Sequence, residues 1–163
     1  MTYPRDIAYH EAGHAVVGWA LGVPVLTCRV YYDHEKGWKG GTDADVAEVD
    51  RLELPERLAF FTAGYTAEHV FQCPKLHDRA ADGDNAQIYL ALMGQGIPEQ
   101  DHPARIAEGE GIAREHLETH KARVTAVAER LVKCGHVDDA SKFLWSVRGA
   151  SPDASPQQRV ANS

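Results

Sequence analysis

A chain of 163 residues with apolar and charged fractions of 44% and 25% suits one globular domain around one hydrophobic core. The formal net charge of −7 argues against a nucleic-acid partner, which calls for clustered Lys and Arg. The longest weakly polar stretch, Ala15–Leu26, is interrupted by Gly18, Gly22 and Pro24, and a membrane span needs about 18–20 apolar residues, so no transmembrane segment is expected.

The N-terminus has no basic region followed by an apolar run, so no secretory leader is expected. Cys28, Cys73 and Cys134 are widely spaced and form no C-x-x-C pair. Neither a disulfide scaffold nor thiolate-held zinc is expected, and a reducing cytoplasm fits best.

In chain order, Thr2 is placed to cap a first helix with Pro4 in its first turn. Ile7, Ala8, Val16, Val17, Ala20 and Leu21 recur at helical spacing, and Gly22 and Pro24 end the pattern. Val25–Tyr32 alternates and is rich in β-branched and aromatic residues, which predicts a strand. Asp33–Gly41 reads as a turn, with a short return strand at Gly41–Asp43. A second helix is predicted over about Leu52–Phe71 with Pro55 in its first turn, then a polar connection over Cys73–Gly83. A third helix spans about Asp84–Met93, ended by Gly94 and Gly96. The longest pattern, Pro103–Cys134, is bent or split by Gly109 and Gly111. A final helix covers Val137–Val147, and from Gly149 onward Ser, Pro, Ala and Gln predict a disordered tail. The expected fold class is therefore mainly α with a small β element, in one domain over residues 1–148.

The chemistry is carried by His10-Glu11-Ala12-Gly13-His14. Residues four apart share a helix face, so both imidazoles can bind one zinc ion. Glu11 stands beside the metal, where a carboxylate serves as general base toward a water and then as acid toward the leaving amine. Gly13 costs about 1 kcal/mol of helix propensity relative to Ala and permits a close approach from another segment or a substrate. The plain alternative is a helix with two surface His and an exposed Glu. Catalytic zinc takes three protein ligands and keeps one position for water. Spacing alone does not choose the third from Glu68, Asp78, Asp82, Asp84 and the other His. Of these, His69, His77, His102, His116, His120 and His136 read as surface or structural residues. His34 falls in the hairpin turn. Trp19, Phe60, Phe61 and Tyr65 read as core. A zinc peptidase often binds an extended peptide along a strand edge; Val25–Tyr32 is the candidate strand, against the alternative of a plain core strand.

The segment Ile7-Ala8-Tyr9-His10-Glu11-Ala12-Gly13-His14-Ala15-Val16-Val17 closely resembles the peptidase domain of FtsH-type proteases. Weaker likenesses follow in the same order: Gly64-Tyr65-Thr66-Ala67-Glu68, Ala81-Asp82-Gly83-Asp84-Asn85, Thr119-His120-Lys121-Ala122-Arg123-Val124 and Ala128-Glu129-Arg130-Leu131. The resemblance covers about Ile7 to Leu144. It implies a zincin-like helical peptidase fold built around the motif helix, peptide-bond hydrolysis with Zn2+, a substrate-binding strand near Gly40-Gly41-Thr42 or Val25–Tyr32, and Asp84 as third ligand, with Asp82 as the runner-up. It also implies that Glu68 orients a ligand through hydrogen bonds, against the alternative of a solvated helix face. Two departures matter. The family's Asn-Asp order is changed here to Gly83-Asp84-Asn85, and no G-x-x-x-x-G-K-[ST] loop occurs in the chain. The implied substrate is a peptide or unfolded protein, with a separate ATPase or other partner a possibility; monomer and small oligomer both remain open. Non-catalytic peptide or partner binding on a peptidase fold is the rival reading.

Overall fold

A computed structural model describes residues 1–73 and 82–147. Of the polar connection expected over Cys73–Gly83, residues 74–81, with His77 and Asp78, lie outside the described residues, as does the tail expected from Gly149. So does the side chain of Asp82.

The chain is mainly helical with one small antiparallel sheet, as its patterning predicts. Helix α1 (Arg5–Ala20) is the central element, and every residue from Asp6 to Trp19 is buried. Such a helix must be enclosed on all sides. Around it pack α3 (Leu54–Val70), α5 (His102–Thr119), α6 (Lys121–Cys134), α7 (Ala140–Ser146), β1 (Val25–Asp33) and β2 (Gly37–Ala44). The helix begins later than the Thr2 cap predicts. Pro4 occupies the N-cap with no side-chain cap, and the Tyr3 N–H instead bonds the Val132 carbonyl at 2.9 Å, tying the N-terminus to α6. Beyond α1, Gly22 takes a positive φ of 81° and turns the chain toward β1.

The return strand is longer than expected. Asp33 Oδ1 accepts from the N–H groups of Glu35 and Lys36 at 2.8 and 2.9 Å, and Gly37 has φ 77°. This Asx turn closes the hairpin early, so β2 starts at Gly37 rather than Gly41. A short α2 (Val46–Arg51), absent from the sequence expectation, is capped by the Asp45 side chain accepting from the Glu48 N–H.

The long C-terminal pattern divides at His120 between α5 and α6, not at its glycines. Gly109 stays inside α5 because an added Cβ would lie 2.6 Å from Leu58 Cβ. Its role is close packing of α5 on α3. The expected final helix is also corrected. Its first residues form β3 (His136–Asp138), which pairs with Thr27–Arg29 of β1 and gives the sheet order β2-β1-β3. Gly135, at φ 76°, makes the reversal out of α6.

Helix α4 (Asp82–Gly94) is peripheral. Ile88, Ala91 and Leu92 pack with Leu58 against α3, while Tyr89, Leu90 and Met93 face solvent.

Candidate metal centre

The site forms where α1 crosses α3. An α-carbon branch at Gly13 would sit 2.5 Å from the Ala63 carbonyl oxygen and 2.6 Å from Ala67 Cβ. Glycine there lets the two backbones approach, the close approach expected of this position, and the approaching segment is α3. The same logic runs the other way at Gly64. A Cβ on it would lie 2.3 Å from His10 Nε2, so the missing side chain is the space the imidazole fills.

Both imidazoles are fixed through Nδ1. His10 Nδ1 donates to Glu68 Oε1 at 2.6 Å, and His14 Nδ1 donates to the Phe60 carbonyl at 2.8 Å. Each bond selects the tautomer that leaves Nε2 for a ligand. The two Nε2 atoms lie 3.2 Å apart, and Asp84 Oδ2 lies 2.8 Å from that of His10 and 3.1 Å from that of His14. Four-coordinate zinc with ligands about 2.0–2.1 Å away would space them about 3.3–3.4 Å from one another. The observed triangle, 2.8–3.2 Å on its sides, is slightly tighter. The donor set, two neutral imidazoles and a carboxylate, suits zinc.

Electrostatics give the same picture. Burial opposes charge on His10, but hydrogen bonds to Asp84 and Glu68 and the nearby charges of Glu11 and Asp84 outweigh it, raising its pKa to about 10. His14 is likewise raised against its burial, by Asp84 and Glu11. Asp84 is held well below the usual carboxylate range, where the two imidazoles overcome its own burial. The carboxylates around the two imidazoles thus favour positive charge on them.

The residues singled out by sequence are therefore brought together: His10, His14 and Asp84 converge, Glu68 backs His10, and Glu11 adjoins them from the sheet side. Among the described residues, these three form the group of metal-capable side chains with ligand atoms in mutual reach. Glu68 is a buried partner of His10 and not a solvated face. Asp82 opens α4, two residues before Asp84. His102 and His120 lie elsewhere, the first against the Ile97 carbonyl and the second against Trp19.

Strand β2 runs alongside α1, and the spacing fits. A helical turn advances about 5.4 Å and two strand residues about 6.6–6.8 Å. Tyr3 meets Trp38, Ile7 meets Gly40, and Glu11 meets Gly40 and Thr42. A Cβ on Gly40 would fall 2.3 Å from Glu11 Oε1, while Thr42 Oγ1 donates to Glu11 Oε2 at 2.7 Å. Sequence reasoning named Gly40, Gly41 and Thr42 only as a possible substrate strand; the glycine pair beside a Thr was the available signal. Main-chain orientation follows from one bond. The Val30 N–H goes to the Gly135 carbonyl, away from β2, and Val30 pairs with Gly40. In an antiparallel ladder the partner of such a residue also turns its N–H and C=O outward. Gly40 therefore directs both groups to the outer edge of β2, the end strand of the sheet.

Comparison of the sequence with protein-family models and with curated proteins gives no match.

Proposed function

We propose that the protein is a zinc-dependent metallopeptidase of the FtsH type, with a zincin-like site in which His10, His14 and Asp84 hold the metal. One observation carries this reading: two imidazole nitrogens and a carboxylate oxygen converge within 3.2 Å while both Nδ1 atoms are already engaged. When bound, zinc acidifies a water and polarises a carbonyl. Glu11 then has the work of moving the proton, from the water to the leaving amine. Its charge is felt at both His10 and His14. Glu68 and the Phe60 carbonyl keep the imidazoles oriented and electron-rich.

The outer edge of β2 supports a peptide as substrate. Its outward main-chain groups at Gly40 lie next to Glu11, so an extended chain added to this edge brings a peptide bond to the site. Edge addition requires an extended chain, which favours peptides and unfolded segments. A separate ATPase or partner that unfolds folded substrates fits this reading.

The test compares zinc-loaded wild type with Glu11→Gln on casein and on short peptides. Glu11→Gln should retain zinc and lose about 10²–10⁴ in kcat, the usual worth of general base catalysis. Zinc binding without turnover of either substrate class by wild type would leave a binding module in place of a peptidase. Equal turnover in the Gln variant removes Glu11 from the reaction.

A further inference from the structure

The Glu11 carboxylate hangs on a flexible side chain, yet a general base acts only from a fixed position. The β2 strand holds it from two sides. Gly40 makes room for Oε1, and the Thr42 hydroxyl donates to Oε2 at 2.7 Å. That hydroxyl has one proton and three neighbours: Glu11 Oε2, the Glu11 carbonyl at 3.1 Å and Cys28 Sγ at 3.8 Å. The carboxylate is nearest and charged, and charge-assisted bonds are the stronger ones. Cys28 is a weak competitor, since burial pushes its thiol up to about 12 and keeps it neutral. Thr is β-branched and stiff at χ1, so its hydroxyl is itself well placed.

Thr42 also shares the parity of Gly40, with no register shift between them. Its main-chain groups thus face the same outer edge while its side chain faces Glu11. We propose that Thr42 is the positioning residue for Glu11, tying the general base to the strand edge that receives substrate. This rests on the peptidase reading above and assigns a role to a residue outside the metal-binding motif.

The experiment uses the full chain loaded with zinc. Thr42→Val keeps the shape, the strand propensity and the main-chain edge but removes the hydroxyl; Thr42→Ser keeps the hydroxyl. A misplacement of about 1 Å costs about 10²-fold. Thr42→Val should therefore lose about 10- to 100-fold in kcat on a short peptide, with KM and zinc content unchanged, and Thr42→Ser should recover most of the loss. Thr42→Ala repeats the test should Val fold poorly. Unchanged kcat in Thr42→Val, or equal losses in Val and Ser, overturns the proposal, as does loss of zinc. Crystal structures of zinc-loaded wild type and Thr42→Val give a reading independent of turnover. The carboxylate of Glu11 should leave its place beneath Gly40 in the Val variant, and finding it unmoved overturns the proposal. Absence of turnover in wild type alone counts against the peptidase reading and leaves this structural outcome to decide the role of Thr42.

Discussion

Helices α1 and α4 contribute to one site under opposite conditions. Helix α1 is enclosed by helices and sheet alike, and both its His side chains are pinned by buried acceptors on α3. Helix α4 leans on α3 through one apolar side and turns Tyr89, Leu90 and Met93, 52%, 61% and 48% exposed, to solvent. Two corners of the donor triangle thus belong to the most enclosed element, and the third arrives on one of the least enclosed. The imidazole pair is preorganised by the core, while the carboxylate depends on how α4 docks. If the triangle holds a metal as proposed, the rigid imidazoles set its geometry and the carboxylate on the lightly held helix is the corner able to adjust.

The sharpest way to break this comparison is to attack the enclosed half. His10→Ala removes one of the two imidazoles and strips Glu68, 8% exposed, of its partner. An abandoned buried charge costs about 3–5 kcal/mol. Urea unfolding of the metal-free variant should show a loss of that size, and metal analysis should show no zinc. Asp84→Ala should also weaken zinc but cost the metal-free fold less, since both imidazoles keep their Nδ1 partners and can become neutral. If both variants unfold alike, the two halves are not different in kind.

Proton competition gives the next effect. In the metal-free protein His10 is charged up to about pH 10, by hydrogen bonds and carboxylate charge that override its burial. A ligand imidazole must be neutral, so zinc has to displace this proton. Affinity therefore rises with pH through the whole range below about 10, by about tenfold per unit for each proton released. Between pH 6 and 8 the gain from His10 alone should be about hundredfold, and the raised His14 adds to it; titration against a competing chelator, corrected for the chelator's own protonation, measures it. An imidazole with the ordinary pKa of about 6.5 would give a curve that levels off near pH 7.

The same division decides what could be read from sequence. The His pair and Glu11 were legible because helical spacing is local; four residues suffice to place both rings on one face. Asp84 and Glu68 were not legible from spacing, since they lie 74 and 58 residues from His10 and meet it only through tertiary packing. The resemblance to FtsH-type peptidases supplied them, and spacing alone left Glu68, Asp78, Asp82 and Asp84 equal. The mainly helical class followed from apolar periodicity. The strand β3 was hidden because three residues cannot set a period and their pairing with β1 is nonlocal. The break at His120 was hidden because no Gly or Pro marks it, whereas Gly109, which looks like a breaker, serves contact with Leu58. The clamp on Glu11 was half visible: the glycine pair could be seen, but not that Gly40 faces a carboxylate.

Paired glycine substitutions test the comparison on the finest scale. Gly64 stands on α3 against the His10 ring, and Gly83 stands near the start of α4 with nothing within 4 Å of an added Cβ. Neither has a positive φ, so Ala is compatible with both backbones. Gly64→Ala places a methyl 2.3 Å from His10 Nε2, and the ring, held at Nδ1 by Glu68, cannot retreat without breaking that bond. Overpacking of this sort costs about 1–3 kcal/mol, and the displaced Nε2 should lower zinc affinity as well. Gly83→Ala meets open space and reduces the freedom of the unfolded chain, so it should stabilise by up to about 1 kcal/mol. Thermal unfolding with and without zinc separates the two. The first variant should lose both stability and part of the zinc-dependent shift, and the second should gain slightly in stability and keep that shift. Equal tolerance of Ala at both positions would mean that the imidazole is not wedged where the α1–α3 crossing puts it.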